Sequence, residues 1–89
     1  MLIPSYTKQF AKDLKRMLER GKSEDKIKEV IKKLIIKERL ESRYRDHRLI
    51  GNYKGRRECH VEPDWLLIYK TIHGEIVFER TGTHADPFE

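Results

Sequence analysis

Arg56-Arg57-Glu58-Cys59-His60-Val61-Glu62-Pro63-Asp64-Trp65-Leu66-Leu67-Ile68-Tyr69-Lys70-Thr71-Ile72-His73-Gly74-Glu75-Ile76-Val77-Phe78-Glu79-Arg80-Thr81 reads as three consecutive strands. Arg56 to Glu62 forms the first, and Pro63-Asp64 is a turn. Trp65 to Ile72 is rich in aromatic and β-branched residues, which predicts a central strand. His73-Gly74 is a two-residue hairpin turn into Glu75 to Thr81. Outward from this sheet, residues 39 to 55 are polar and basic with interspersed glycines and read mostly as loop. Gly82 to Glu89 reads as a polar closing loop.

The N-terminal half has a different period. Leu2 to Ser5 is a short candidate strand. Phe10, Leu14, Met17 and Leu18 fall on one face of a helix from about Thr7 to Arg20, stopped by Gly21. Ser23 is a candidate N-cap, with Glu24 and Asp25 favouring the positive helix end. Ile27, Val30, Ile31, Leu34 and Ile35 repeat the stripe in a second helix running to about Glu38. The expected fold is α+β: two N-terminal antiparallel helices packed on a small antiparallel β-sheet, as a single domain over residues 1–89.

No run approaches the ~20 apolar residues of a membrane span, so an integral membrane protein is excluded. Met1-Leu2-Ile3-Pro4 lacks a basic flank with an apolar region behind it, so no secretory signal is expected. The single Cys59 leaves no internal disulfide framework and no four-ligand cysteine zinc module. A cytoplasmic chain held by packing is expected. Twenty Lys and Arg against fifteen Asp and Glu give a net charge of +5. Such a surface attracts nucleic acid, acidic membranes or acidic proteins, or serves only solubility.

All four histidines, His47, His60, His73 and His84, lie in the strand-and-loop half. His60 alternates with Glu58 and Glu62 on one strand face, opposite Arg57, Cys59 and Val61. That face is too charged for dry core, so His60 is a surface or a site residue. Asp64 is either a turn-former or catalytic. Trp65 and Phe88 are either packing residues or stacking rings for bases. Arg80 is either a surface ion-pair partner or a phosphate contact. His73 reads as a turn residue. The spacing of His60, Asp64 and His84 is no recognised metal motif, so no metal and no cofactor is expected. Histidines among arginines and an aspartate do match metal-free RNA cleavage. That reaction needs a base for the 2′-OH, an acid for the departing 5′-oxygen and positive charge for the phosphorane. Histidine supplies both acid and base forms near neutral pH.

The run from Tyr44 to Lys70, with its Arg-Glu-Cys-His-x-x-Pro-Asp element at Arg57–Asp64, resembles the YafQ-type branch of the RelE/ParE toxin superfamily. The closing Arg80-Thr81-Gly82-Thr83-His84-Ala85-Asp86-Pro87-Phe88 and the opening Ile3-Pro4-Ser5-Tyr6-Thr7-Lys8-Gln9-Phe10 are similar to that branch as well. The tail departs at Ala85 and Pro87, where the branch has serine and leucine. The resemblance implies a RelE-like fold and a type II toxin that cuts messenger RNA on the translating ribosome. It also implies a cognate antitoxin partner. It places catalysis on His47, His60, Asp64 and His84, with His84 donating to the leaving oxygen and Asp64 or His60 serving the 2′-OH. Trp65 and Phe88 would support the substrate, and Arg57 and Arg80 are further candidate contacts. The alternatives are a noncatalytic toxin of the same fold, of the gyrase-inhibitor type, and an RNA- or ribosome-binding module.

Overall fold

The computed structural model describes residues 1–51 and 54–86; Tyr53, Pro87 and Phe88 lie outside the described residues. The chain order is β1 (Ile3–Tyr6), α1 (Lys8–Glu19), α2 (Glu24–Ile35), a 3₁₀ turn η1 (Ser42–Tyr44), β2 (His47–Arg48), β3 (Arg57–Glu62), β4 (Trp65–Ile72) and β5 (Glu75–Gly82). The five strands form one sheet in the order β1-β5-β4-β3-β2. The expected α+β architecture of two helices on a small sheet is present. Two corrections apply. β1 runs parallel to β5, so the sheet is mostly rather than wholly antiparallel. The stretch read as loop contains η1 and β2, which pairs His47 with Glu58 and Arg48 with Arg57.

α1 begins where Thr7 accepts a hydrogen bond from the Phe10 amide through its side chain. Beyond the helix cap at Arg20, Gly21 with a φ of 92° closes the last turn, with Gly21 N–H donating to Leu18 O and Lys22 N–H to Met17 O. α2 stops three residues short of the expected Glu38. Lys37 adopts φ 61°, and its N–H donates to Leu34 O while Glu38 N–H donates to Lys33 O. This is the same closing pattern, built here without glycine.

Phe10 and Met17 of α1, and Ile27, Val30, Ile31 and Leu34 of α2, are buried with Cys59, Val61, Trp65, Leu67, Tyr69, Ile76 and Phe78 of the sheet. Removing each such side chain from water contributes roughly 1.5–3 kcal/mol before entropy is counted. Inside this layer Asp13, 2 % exposed, accepts from Arg80 Nε at 2.7 Å and from the Thr81 amide at 3.2 Å, fixing α1 to the end of β5. The main core cluster therefore occupies the helix-covered face of the sheet, while Leu66 and Ile68 are buried on the opposite face.

Candidate active site

Residues directly opposite in a ladder share a face. The register pairs Glu58 with Ile68 and with His47, and His60 with Leu66. His47, Glu58 and His60 thus stand together over Leu66 and Ile68, on the face turned away from the helices. A β-bulge falls directly after His60, between His60 and Glu62, and the ladder resumes with Glu62 opposite Trp65. The extra residue moves Glu62 to the helix-covered face. There Lys22 and Lys26 donate to it at 3.0 and 2.7 Å. The expectation that Glu58, His60 and Glu62 share one face is therefore corrected: strict alternation fails at Val61. His60 is also less open than expected, at 8 % exposed.

The turn after β3 and the loop after β5 complete the group. Asp64 Oδ1 accepts from the His84 backbone N–H at 2.9 Å and from His84 Nδ1–H at 2.6 Å. One carboxylate oxygen thereby fixes both the loop and the ring. These hydrogen bonds hold the Asp64 carboxyl below its usual range. The His84 and His60 rings meet edge to face with centroids 5.7 Å apart, and His60 and His47 lie 6.4 Å apart. Arg45 takes a left-handed conformation, φ 50°, which turns its carbonyl to accept from His47 Nδ1 at 2.6 Å. His47 Nε2 lies 3.2 Å from Glu58 Oε2, an ion pair when the ring is protonated; His60 Nε2 is 3.8 Å from the same oxygen. Burial lowers the pKa of His60, aided by the charges of Arg45, His84 and His47, while Glu58 opposes the shift. Its buried Nδ1 has no hydrogen-bond partner among the described residues. An open cleft of about 640 Å³ is lined by Arg45, Asp46, His47, Glu58, His60, Pro63 and His84.

A second cluster holds this one in place. Asp46 Oδ1 accepts from Tyr69 Oη at 2.7 Å and from Arg57 Nε at 3.2 Å, which anchors the residue before His47 to β3 and β4.

The family model described as "Bacterial toxin of type II toxin-antitoxin system, YafQ" matches residues 2–89. The chain belongs to the YafQ family. The mRNA interferase toxin YafQ of Escherichia coli K12 is 46 % identical over 84 residues, covering 93 % of this chain and 91 % of that protein. The E. coli DinJ–YafQ complex superposes with a TM-score of 0.90 at 43 % identity, over the whole of both chains. A copper-bound mutant toxin from Helicobacter pylori gives a TM-score of 0.93 at 38 % identity, over 99 % of this chain and 100 % of that one.

Within this YafQ-family fold, His47, His60, Asp64 and His84 come together, although they arise from β2, β3, the β3–β4 turn and the loop after β5. Trp65 does not join them. It is 0 % exposed, and its indole N–H donates to Thr81 Oγ1 at 2.9 Å, so the ring has no free face for a base. Arg80 donates to buried Asp13 and Arg57 to Asp46, which makes both arginines ties within the fold. Phe88 lies outside the described residues. Sequence reasoning missed Arg45 and Glu58. Glu58 carried a signal, two residues from His60 on one strand; Arg45 carried none, because its place depends on a left-handed turn.

Proposed function

We propose that this chain is a metal-free mRNA interferase that cleaves by attack of the ribose 2′-OH on the adjacent phosphorus. The observation that carries the reading is the edge-to-face pair of His60 and His84, differently supported, in one open cleft. His60, whose pKa is lowered, is the base that takes the 2′-OH proton. Asp64 is already committed twice to His84 and is therefore a positioning carboxylate. His84, with Nδ1 bound to Asp64, directs Nε2 away from that carboxylate and donates its proton to the departing 5′-oxygen. A bond forms between phosphorus and O2′ and the bond to O5′ breaks, leaving a 2′,3′-cyclic phosphate and a 5′-hydroxyl. Arg45, which lines the same cleft, supplies positive charge for the phosphorane, and His47 stands beside it as a further polar contact. Phe88 is the remaining candidate for stacking on a base.

The ribosome is the expected setting, and a cognate antitoxin the expected partner. The complex of the E. coli relative with DinJ supports the second point. The net charge of +5 favours an acidic toxin-binding segment, whose attraction would speed encounter. The test is single-turnover cleavage on programmed ribosomes. His84→Ala or His84→Gln is expected to lower the rate ~10²–10⁴-fold with an unchanged thermal melt. The product of the neighbouring open reading frame is expected to suppress cleavage by the native protein. A folded His84 variant that cuts at the native rate contradicts the mechanism.

A further inference from the structure

His84 is exposed, with its side chain 59 % accessible, and so is Ala85 beside it. Little apolar packing is available to hold the proposed acid, so polar ties must set its position. Asp64 provides one of them. The others come from Asp86, two residues further on. The Asp86 carboxylate accepts from the Thr83 amide at 2.7 Å and from Thr83 Oγ1 at 3.1 Å. The Asp86 N–H donates back to Thr83 O at 3.1 Å. These three bonds close a turn with His84 at its tip.

That carboxylate is held in turn by the far end of α1. Arg20, the residue that ends the helix, donates Nη1 and Nη2 to the two oxygens of Asp86 at 3.0 and 3.1 Å, and Arg16 Nη1 lies 3.6 Å from Oδ1. The two-pronged geometry fixes orientation as well as distance. The Arg20 pair and the Thr83 bonds keep the Asp86 carboxyl well below the usual carboxylate range, so it stays ionised at working pH. α1 itself is fixed to β5 through Asp13, so the clamp has a rigid base.

We propose that Arg20 and Asp86 are positioning residues for His84: the end of α1 holds the Thr83–Asp86 turn so that the imidazole meets the scissile phosphate. The inference rests on His84 being the acid of the reaction. Neither residue lines the cleft. Loss of the clamp would leave RNA binding intact and slow the chemical step, because small misplacements of a reacting group are costly in rate.

The experiment compares native protein, Arg20→Met, Arg20→Lys, Asp86→Asn and His84→Ala in single-turnover cleavage at varied ribosome concentration, each with a thermal melt. Arg20→Met and Asp86→Asn are expected to lower the maximal rate ~10–100-fold while the half-saturating ribosome concentration stays put. Arg20→Lys, which keeps the charge and loses the fork, should recover part of the rate. Native rates in folded Arg20→Met and Asp86→Asn, with His84→Ala inactive, overturn this inference alone. So does a loss that appears only in half-saturation. Native rates in His84→Ala overturn the acid assignment itself.

Discussion

Asp64 and Glu58 sit beside histidines in different ways. Asp64 pins His84 through two hydrogen bonds to one oxygen, whereas Glu58 stands between His47 and His60 at 3.2 and 3.8 Å. The consequence for pH is specific. The base must be neutral to act, and the pKa of His60 is lowered from 6.5 chiefly by burial. The acid limb of the cleavage rate should therefore fall below that value. Glu58 is the neighbour that pulls the pKa back up, so Glu58→Gln should move the limb to still lower pH. A pH–rate series on both proteins checks this, and an upward movement in the variant contradicts the assignment of His60 as base. The sign for stability follows from the same shift. The unfolded chain takes this proton first as pH falls, so His60 disfavours the fold progressively below its unfolded value.

At the scale of elements, the two helices close alike from different residues. Gly21 meets the left-handed requirement of α1 without strain, whereas Lys37 meets it at φ 61° with a side chain attached. Lys37→Gly should stabilise the protein by about 0.5–1 kcal/mol, a rise of a few degrees in thermal melting. A lowered melting temperature would show that Lys37 contributes a contact that outweighs its backbone strain. The contrast also shows what the sequence could reveal. Apolar periodicity placed both helices, because burial on one face imposes the spacing, whereas the three long strands were marked by aromatic and β-branched content between turn residues. The end of α2 was hidden, because the stop lies in backbone geometry. The bulge after His60 was hidden as well, because a single inserted residue leaves no compositional mark, yet it sends Glu62 to Lys22 and Lys26. β2 is two residues long and takes its pairing from β3. β1 lies parallel to β5 through contacts far away in sequence, including Thr7 N–H to Phe78 O.

At the scale of the whole molecule, the sheet divides the labour. One face carries the helices and the main core cluster; the other carries His47, Glu58 and His60, with Asp64 and His84 closing the end. The four catalytic candidates were open to sequence reading because their residue types are rare together and the family motif spans them. Their supports were harder to read. Trp65 could be packing or stacking until its burial and its bond to Thr81 decided for packing. Arg57 and Arg80 gave no sign in sequence that Asp46 and Asp13 would claim them. What the arrangement as a whole claims is a reaction whose nucleophile belongs to the RNA and whose acid and base belong to the protein. The chemistry of the severed ends tests that claim most directly. Messenger RNA cut by the purified protein on programmed ribosomes should carry 5′-hydroxyl and 2′,3′-cyclic phosphate termini, ligatable from the 5′ side only after phosphorylation by a kinase. Fragments bearing 5′-phosphate and 3′-hydroxyl ends would instead mean that water was the nucleophile, and would contradict the account.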